Sequence, residues 1–143
     1  VSERLLFTCT QNAVRSVIAE ALFGQLVCAS DYQISSCGVI EGAADGYAIA
    51  VMLEMGVDIS AHEAQSFDSL SPADFDRIIS FSAEAHDSAT RWACEGCKTE
   101  LWAVHPPRLD ERAREATLES YRALRDEIAA KLEANFGAFA QKT

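Results

Sequence analysis

The chain is short of positive charge and of histidine, and it has no long apolar run; each shortage removes a class of function. Twelve Lys and Arg stand against 22 Asp and Glu, for a net charge of -10. Nucleic acids and anionic membrane surfaces would be repelled by such a field. It also gives an anionic substrate no long-range help, so binding must come from local donors, and a neutral or positively charged surround on the substrate is expected. No apolar stretch approaches a membrane span, and the first residues lack the charged-then-apolar pattern of a secretory signal. A soluble, cytoplasmic protein is the expectation. The five cysteines, Cys9, Cys28, Cys37, Cys94 and Cys97, are odd in number and irregular in spacing, which excludes a secreted disulfide framework. Cys28 and Cys37 lie in apolar surroundings and read as inert core.

What is present is core material: 49% of the 143 residues are hydrophobic, enough for one substantial core. No repeat, low-complexity linker or composition break divides them, so residues 1–143 read as one domain. Short strands alternate with helices, which predicts an α/β fold: a doubly wound parallel sheet with helices on both faces. Strands are expected at Arg4–Thr8, ending at Cys9, at Gln33–Cys37, at Arg77–Phe81 and at Glu100–Val104. Helices are expected from Val17 to Cys28, from Asp45 through Met55 with Gly56 as the stop, and starting at Ser71-Pro72-Ala73-Asp74. In the last helix Leu118, Tyr121, Leu124, Ile128, Leu132 and Phe136 recur every three or four residues. That stripe packs on the sheet, while Arg112, Glu115, Glu119, Arg122 and Lys131 face water.

The most informative segment is Cys9-Thr10-Gln11-Asn12-Ala13-Val14-Arg15-Ser16, a strand-to-helix turn. Unpaired backbone N–H groups and the positive end of a helix dipole converge in such a turn and bind oxyanions. A thiolate nucleophile at Cys9 fits that field, and Arg15 adds a planar fork of donors that matches phosphate oxygens. Asn12 can take the left-handed backbone that a tight anion nest needs, and Ser16 can cap the following helix. Nucleophile, cradle and clamp together describe phosphoryl transfer through a thiol.

Leu5 through Ser16, with Ala19-Glu20-Ala21-Leu22-Phe23 after it, resembles the N-terminus of the low-molecular-weight protein tyrosine phosphatases. The likeness continues through Ser36-Cys37-Gly38, Gly56 to His62 and Leu70 to Asp76. It is clear over roughly residues 4 to 82 and holds in outline beyond. The thioredoxin-coupled arsenate reductases share this fold. The resemblance implies a four-stranded sheet in the order 2-1-3-4. It implies a loop from Thr10 to Arg15 that binds phosphate through Thr10, Gln11, Asn12, Ala13, Val14 and Arg15. It further implies that Asn12, Ser36 and His62 support this loop and that Ser16 steadies the thiolate.

Departures from the family pattern matter as much. Gln11 stands where a glycine is usual and puts a bulkier side chain over the pocket mouth. Val14 replaces a second loop cysteine that many members carry, and Val17 replaces a proline. The family's Asp-Pro general acid has no evident counterpart: Pro106 falls on the acid position when Trp102 is aligned. His105 just before it could protonate a leaving group, since histidine exchanges protons near neutral pH. Asp110 and Glu111 follow nearby, or the acid is simply missing. Cys94-Glu95-Gly96-Cys97 could be a redox pair or half of a zinc site. Only His62, His86 and His105 could complete such a site, so no metal is expected. In the arsenate reductases the first resolving cysteine closely follows the third strand, where this chain has Ser82, so surface or structural thiols are the reading for Cys94 and Cys97.

The expected activity is hydrolysis of phosphotyrosine-type phosphomonoesters through a cysteinyl-phosphate intermediate. Cys9 would attack, with Arg15, Ser16 and His105 assisting, and neither metal nor organic cofactor would be needed. Substrates would be a phosphorylated protein or a small phosphomonoester, with no nucleic acid or membrane partner, and the chain would be a monomer or weak homodimer. A thiol-dependent arsenate reductase and a catalytically weak phosphate-binding module are the alternatives.

Overall fold

The computed structural model describes residues 2–27, 30–110 and 112–137. Leu5, Leu6 and Phe7 leave β1 (Glu3–Cys9) no polar face, and a strand apolar on both sides belongs in the middle of a covered parallel sheet. It pairs in parallel with β2 (Tyr32–Gly38) on one side and β3 (Arg77–Ser80) on the other. The fourth strand, β4 (Lys98–Leu101), adds in parallel outside β3, giving the order β2-β1-β3-β4. This is the fold class and strand order expected from the sequence.

Alternate residues of β1 feed two cores. Leu5, Phe7 and Cys9 join the larger one, with side chains of α1 (Arg15–Leu26), α2 (Gly46–Leu53) and α4 (Arg114–Phe136). Leu6 and Cys37 join a smaller one with Phe67, Phe75, Ile78 and Ala89, the last from α3 (Ala83–Trp92). The apolar stripe of α4 is buried from Leu118 to Leu132 and packs on the larger core, as its spacing predicts. Among the described residues no helix is long and apolar enough to cross a membrane.

Several boundaries differ from expectation. Helix α1 starts at Arg15 rather than Val17, so Ser16 lies inside its first turn and is not the cap; Val14 holds that position without a side-chain bond. The helix ends at Leu26, short of the expected Cys28, because Val27 turns extended; that cysteine's place in the core lies outside the described residues. Helix α2 ends at Leu53, short of Met55, and Gly56 then turns the chain with φ of +76°. Asp45 caps it as anticipated, accepting from the N–H groups of Tyr47 and Ala48. Ser71 to Asp74 opens only one 3₁₀ turn, Pro72–Asp74, because Phe75 and Asp76 lead directly into β3. Strand β4 lies two residues earlier than Glu100. Beyond Leu101 the chain still leans on β3, with the N–H of Trp102 donating to Ser80 and that of Val104 to Phe81. Arg112 precedes α4 instead of lying on it.

Four parallel strands put all C-terminal ends at one sheet edge, the place where open α/β sheets bind ligands. Cys9, Gly38 and Ser80 end their strands there. Cys94 and Cys97 precede Lys98, the first residue of β4, and so sit at the opposite edge.

Candidate active site

The backbone between Cys9 and Arg15 is folded by its neighbours. Beyond β2 the chain runs alongside it, and the N–H groups of Val39, Ile40 and Gly42 donate to the carbonyls of Cys9, Thr10 and Gln11. A trans peptide sends its N–H opposite to its C=O, so the N–H groups of Thr10, Gln11 and Asn12 point away from that segment. The approach is close enough to require glycine. A Cβ on Gly38 would lie 2.7 Å from the Asn12 nitrogen and 2.6 Å from the Ile40 oxygen.

Asn12 holds the turn. Its φ of +52° is the only left-handed non-glycine backbone among the described residues, a conformation that costs on the order of 1 kcal/mol. The buried side chain repays this by filling all four of its hydrogen-bonding positions. Its amide donates to Ser16 Oγ at 2.9 Å and to Ser36 Oγ at 3.0 Å. Its oxygen accepts from the Gln65 N–H at 3.0 Å and faces His62 Nε2 at 3.1 Å. That oxygen can only accept, so Nε2 carries the proton. The Ser36 hydroxyl in turn donates to Glu20 Oε1 at 2.5 Å.

The consequence reaches the sulfur. Ser16 Oγ accepts from Asn12 and shares a hydrogen bond of 2.9 Å with Cys9 Sγ, in which either atom can donate. The Ser16 N–H also points at Sγ, at 3.5 Å. Cys9 is thus a buried sulfur that accepts a hydrogen bond. Cys37, the other buried cysteine on this side of the chain, differs: burial, with Cys9 as a second contribution, pushes its thiol far above the usual range. It shares a sheet face with Leu6, away from Cys9, and stays an inert core residue.

Arg15 reaches across the strand ends, with Nη1 donating to the carbonyls of Val104 at 2.9 Å and Phe81 at 3.3 Å. Thr10 Oγ1 donates to Ser82 Oγ at 3.2 Å, tying the loop to the start of α3, which Ser82 caps. A cavity of about 390 Å³ opens over the loop. Thr10, Gln11, Ala13, Val14 and Arg15 line its base with Cys9, and Pro106, Pro107, Leu109 and Tyr121 line its wall. Gln11 packs at the mouth against Gly42, where a Cβ would meet its own at 2.7 Å.

The structure brings Cys9, Asn12, Arg15, Ser16, Ser36 and His62 together, and does not bring His105 or Asp110 to the Cys9 cavity. His105 lines a neighbouring depression with Arg15 and Ser82. Asp110 lines another, beyond Leu109, and its carboxylate accepts the Arg112 N–H. Glu111 lies outside the described residues. The titratable group that does reach the wall is Tyr121, whose hydroxyl donates to Asp45 at 2.7 Å. Burial, and then that bond, push its phenol well above the ordinary range. No cluster of three metal-ligating side chains occurs among the described residues.

Sequence reasoning missed Glu20, Gln65 and Tyr121. Glu20 carried a signal, an acid one turn beyond Ser16 on an otherwise apolar helix. Gln65 carried none: it donates through Nε2 to the Ser36 carbonyl and accepts from the Gly38 N–H, contacts that only the tertiary fold creates.

A family model for the low molecular weight phosphotyrosine protein phosphatases matches residues 4–142. A glutaredoxin arsenate reductase from Synechocystis sp. is 27% identical over 131 residues, spanning 92% of this chain and 94% of the relative. Among solved structures, a low molecular weight protein tyrosine phosphatase from T. tengcongensis superposes with a TM-score of 0.65 at 27% identity, covering 92% of this chain and 100% of that one. An arsenate reductase in its reduced state superposes with a TM-score of 0.74 at 26% identity, covering 93% and 95%.

Proposed function

Because the chain belongs to the low molecular weight phosphotyrosine protein phosphatase family, we propose that it hydrolyses phosphotyrosine-type phosphomonoesters through a cysteinyl-phosphate intermediate. The reading takes residues 1–143 as one domain acting on a phosphorylated protein or a small aryl phosphate. The observation that carries it is the chain of bonds from His62 and Gln65 through Asn12 to Ser16 and the Cys9 sulfur. Such a chain holds a loop of N–H donors open and keeps the Ser16 hydroxyl on the sulfur at once. Cys9 Sγ attacks phosphorus and the ester oxygen departs. The N–H groups of the loop and the free nitrogens of Arg15 hold the equatorial oxygens. Water then attacks the phosphocysteine and releases phosphate and the thiolate.

Protonation of the leaving group is the weak step. The wall is made by Pro106, Pro107, Leu109 and Tyr121, and the Tyr121 hydroxyl donates its hydrogen bond to Asp45. His105 and Asp110 face neighbouring cavities. Without a general acid, turnover falls on the order of 10²- to 10⁴-fold, least for leaving groups that are already stable anions.

Arsenate reduction is the second reading, favoured by the named activity of the Synechocystis relative. Arsenate has the shape and charge of phosphate and would enter the same nest. Its reduction needs two electrons, and with Ser82 after β3 and Cys94 and Cys97 at the far edge these would come from Cys9 and an external thiol, joined as a mixed disulfide that a second external thiol reduces. Turnover of p-nitrophenyl phosphate, run beside arsenate with glutathione and with thioredoxin, tests the choice. Hydrolysis without thiol consumption supports the phosphatase; thiol-dependent loss of arsenate with no hydrolysis overturns it.

A further inference from the structure

In a chain of net charge -10, arginines are expected to find carboxylates, and most do: Arg4, Arg77, Arg91, Arg122 and Arg125 are all ion-paired. Of the other four, Arg15 donates to backbone carbonyls and Arg114 lies over the Tyr47 ring, which leaves Arg108 and Arg112. Both are exposed, and among the described residues neither guanidinium has a hydrogen bond, an ion pair or a ring contact. Their backbones, by contrast, are pinned. The Arg108 N–H donates to Ser120 Oγ at 2.6 Å and the Arg112 N–H to Asp110 Oδ1 at 3.0 Å.

These two arginines line one groove of about 700 Å³, floored by Ala116 and Ser120 of α4. Leu109 lines both this groove and the Cys9 cavity, so the two are neighbours across a single exposed side chain. We propose that the groove is an accessory anion subsite, which takes a Glu or Asp side chain of a phosphorylated peptide whose phosphoryl group sits at Cys9. This rests on the phosphomonoester reading and narrows it to acidic phosphopeptides.

The choice of partner follows from range. At physiological salt the screening length is about 8 Å, so the distant acids that repel a polyanion contribute little to one carboxylate placed between two arginines. A nucleic acid or an anionic vesicle presents charge over a much wider area and meets the net field instead. Asp110 in the same groove limits the subsite to one or two carboxylates. A neutral or basic surround, expected from net charge, is therefore replaced by an acidic one where Arg108 and Arg112 face the substrate.

Two peptides carrying a non-hydrolysable phosphonate analogue of phosphotyrosine, one flanked by Glu and the other by Gln, test this by equilibrium binding to the full chain. The acidic peptide should bind about 3- to 10-fold more tightly at low salt, the range for two exposed charge pairs, and the preference should shrink in 0.5 M salt. The ratio should fall to about one in Arg108→Gln/Arg112→Gln and invert in Arg108→Glu/Arg112→Glu. Equal binding of both peptides, each displaced by vanadate, would overturn the subsite alone, as would a preference that survives the double variants. Binding of neither peptide, with p-nitrophenyl phosphate left intact, would overturn the phosphomonoester reading and the subsite together.

Discussion

Cys9 closes β1 at one edge of the sheet, and Cys97 stands just before β4 at the other; each lies beside a glycine, Gly38 and Gly96, yet their sulfurs meet different partners. Cys9 accepts from the Ser16 N–H at 3.5 Å and shares a hydrogen bond with its hydroxyl at 2.9 Å. Cys97 gives its own hydrogen to the Lys98 carbonyl at 3.7 Å. Its thiol is pushed up by burial, then by Asp76 and Cys94. An acceptor and nearby negative charge favour the thiol at Cys97. The edge decides this. At strand C-termini a helix N-terminus supplies N–H groups, and at the N-terminal edge a strand begins with carbonyls still to place. The two cysteines thus stand at opposite ends of the parallel strands.

The sharpest way to break this contrast is to exchange hydroxyls for thiols at each edge. Cys9→Ser should abolish aryl-phosphate hydrolysis, since an alcohol is a far weaker nucleophile. Cys94→Ser/Cys97→Ser should turn over at the wild-type rate. Steady-state kinetics with p-nitrophenyl phosphate reads both, and loss in the second variant would contradict the assignment. Arg15→Lys should lose about 10²-fold, as a point charge cannot replace the planar fork.

Next in size are the glycines. Gly38→Ala forces a Cβ against the Asn12 nitrogen and should cost about 10²-fold in rate by displacing the loop. Gly96 has φ of +92° but open space around it. Gly96→Ala should cost only about 1 kcal/mol of stability, read by urea unfolding, with turnover unchanged.

Ligand stabilisation is smaller. Phosphate at 100 times its Kd should raise stability by about 2.7 kcal/mol, and Cys9→Ser should keep that gain because the N–H groups remain. Thermal unfolding with chloride as the ionic-strength control measures it. The smallest effect belongs to His105. Since it faces the cavity beside the site, His105→Ala should change the hydrolysis of phenyl phosphate and p-nitrophenyl phosphate equally and by less than about 3-fold. A selective loss on phenyl phosphate would make it the acid, because general acid catalysis is worth at least about 10²-fold.

Legibility in the sequence followed how local each signal was. The Cys9 loop could be read because its residues are contiguous and each is fitted to binding oxyanions. The stripe of α4 could be read because six large side chains repeat it. Helix α3 escaped notice since its buried residues are Ala85 and Ala89, too small to mark a period. Strand β4 was placed late because Leu101, Trp102 and Val104 are its most apolar neighbours, whereas the ladder forms over the half-exposed Lys98 to Leu101. Ser16 looked like a cap, but the helix already starts at Arg15 and takes Ser16 into its first turn. That Arg108 and Arg112 lack a partner among the described residues could not be seen at all, since pairing is a tertiary property.

The most direct measurement is to quench the wild-type protein in acid during turnover of p-nitrophenyl phosphate and locate the phosphoryl group by peptide mass spectrometry. The predicted result is one adduct, on Cys9, which is absent from Cys9→Ser and unaffected by Cys94→Ser/Cys97→Ser. Hydrolysis that proceeds with no adduct on Cys9, or that persists in Cys9→Ser, would contradict it.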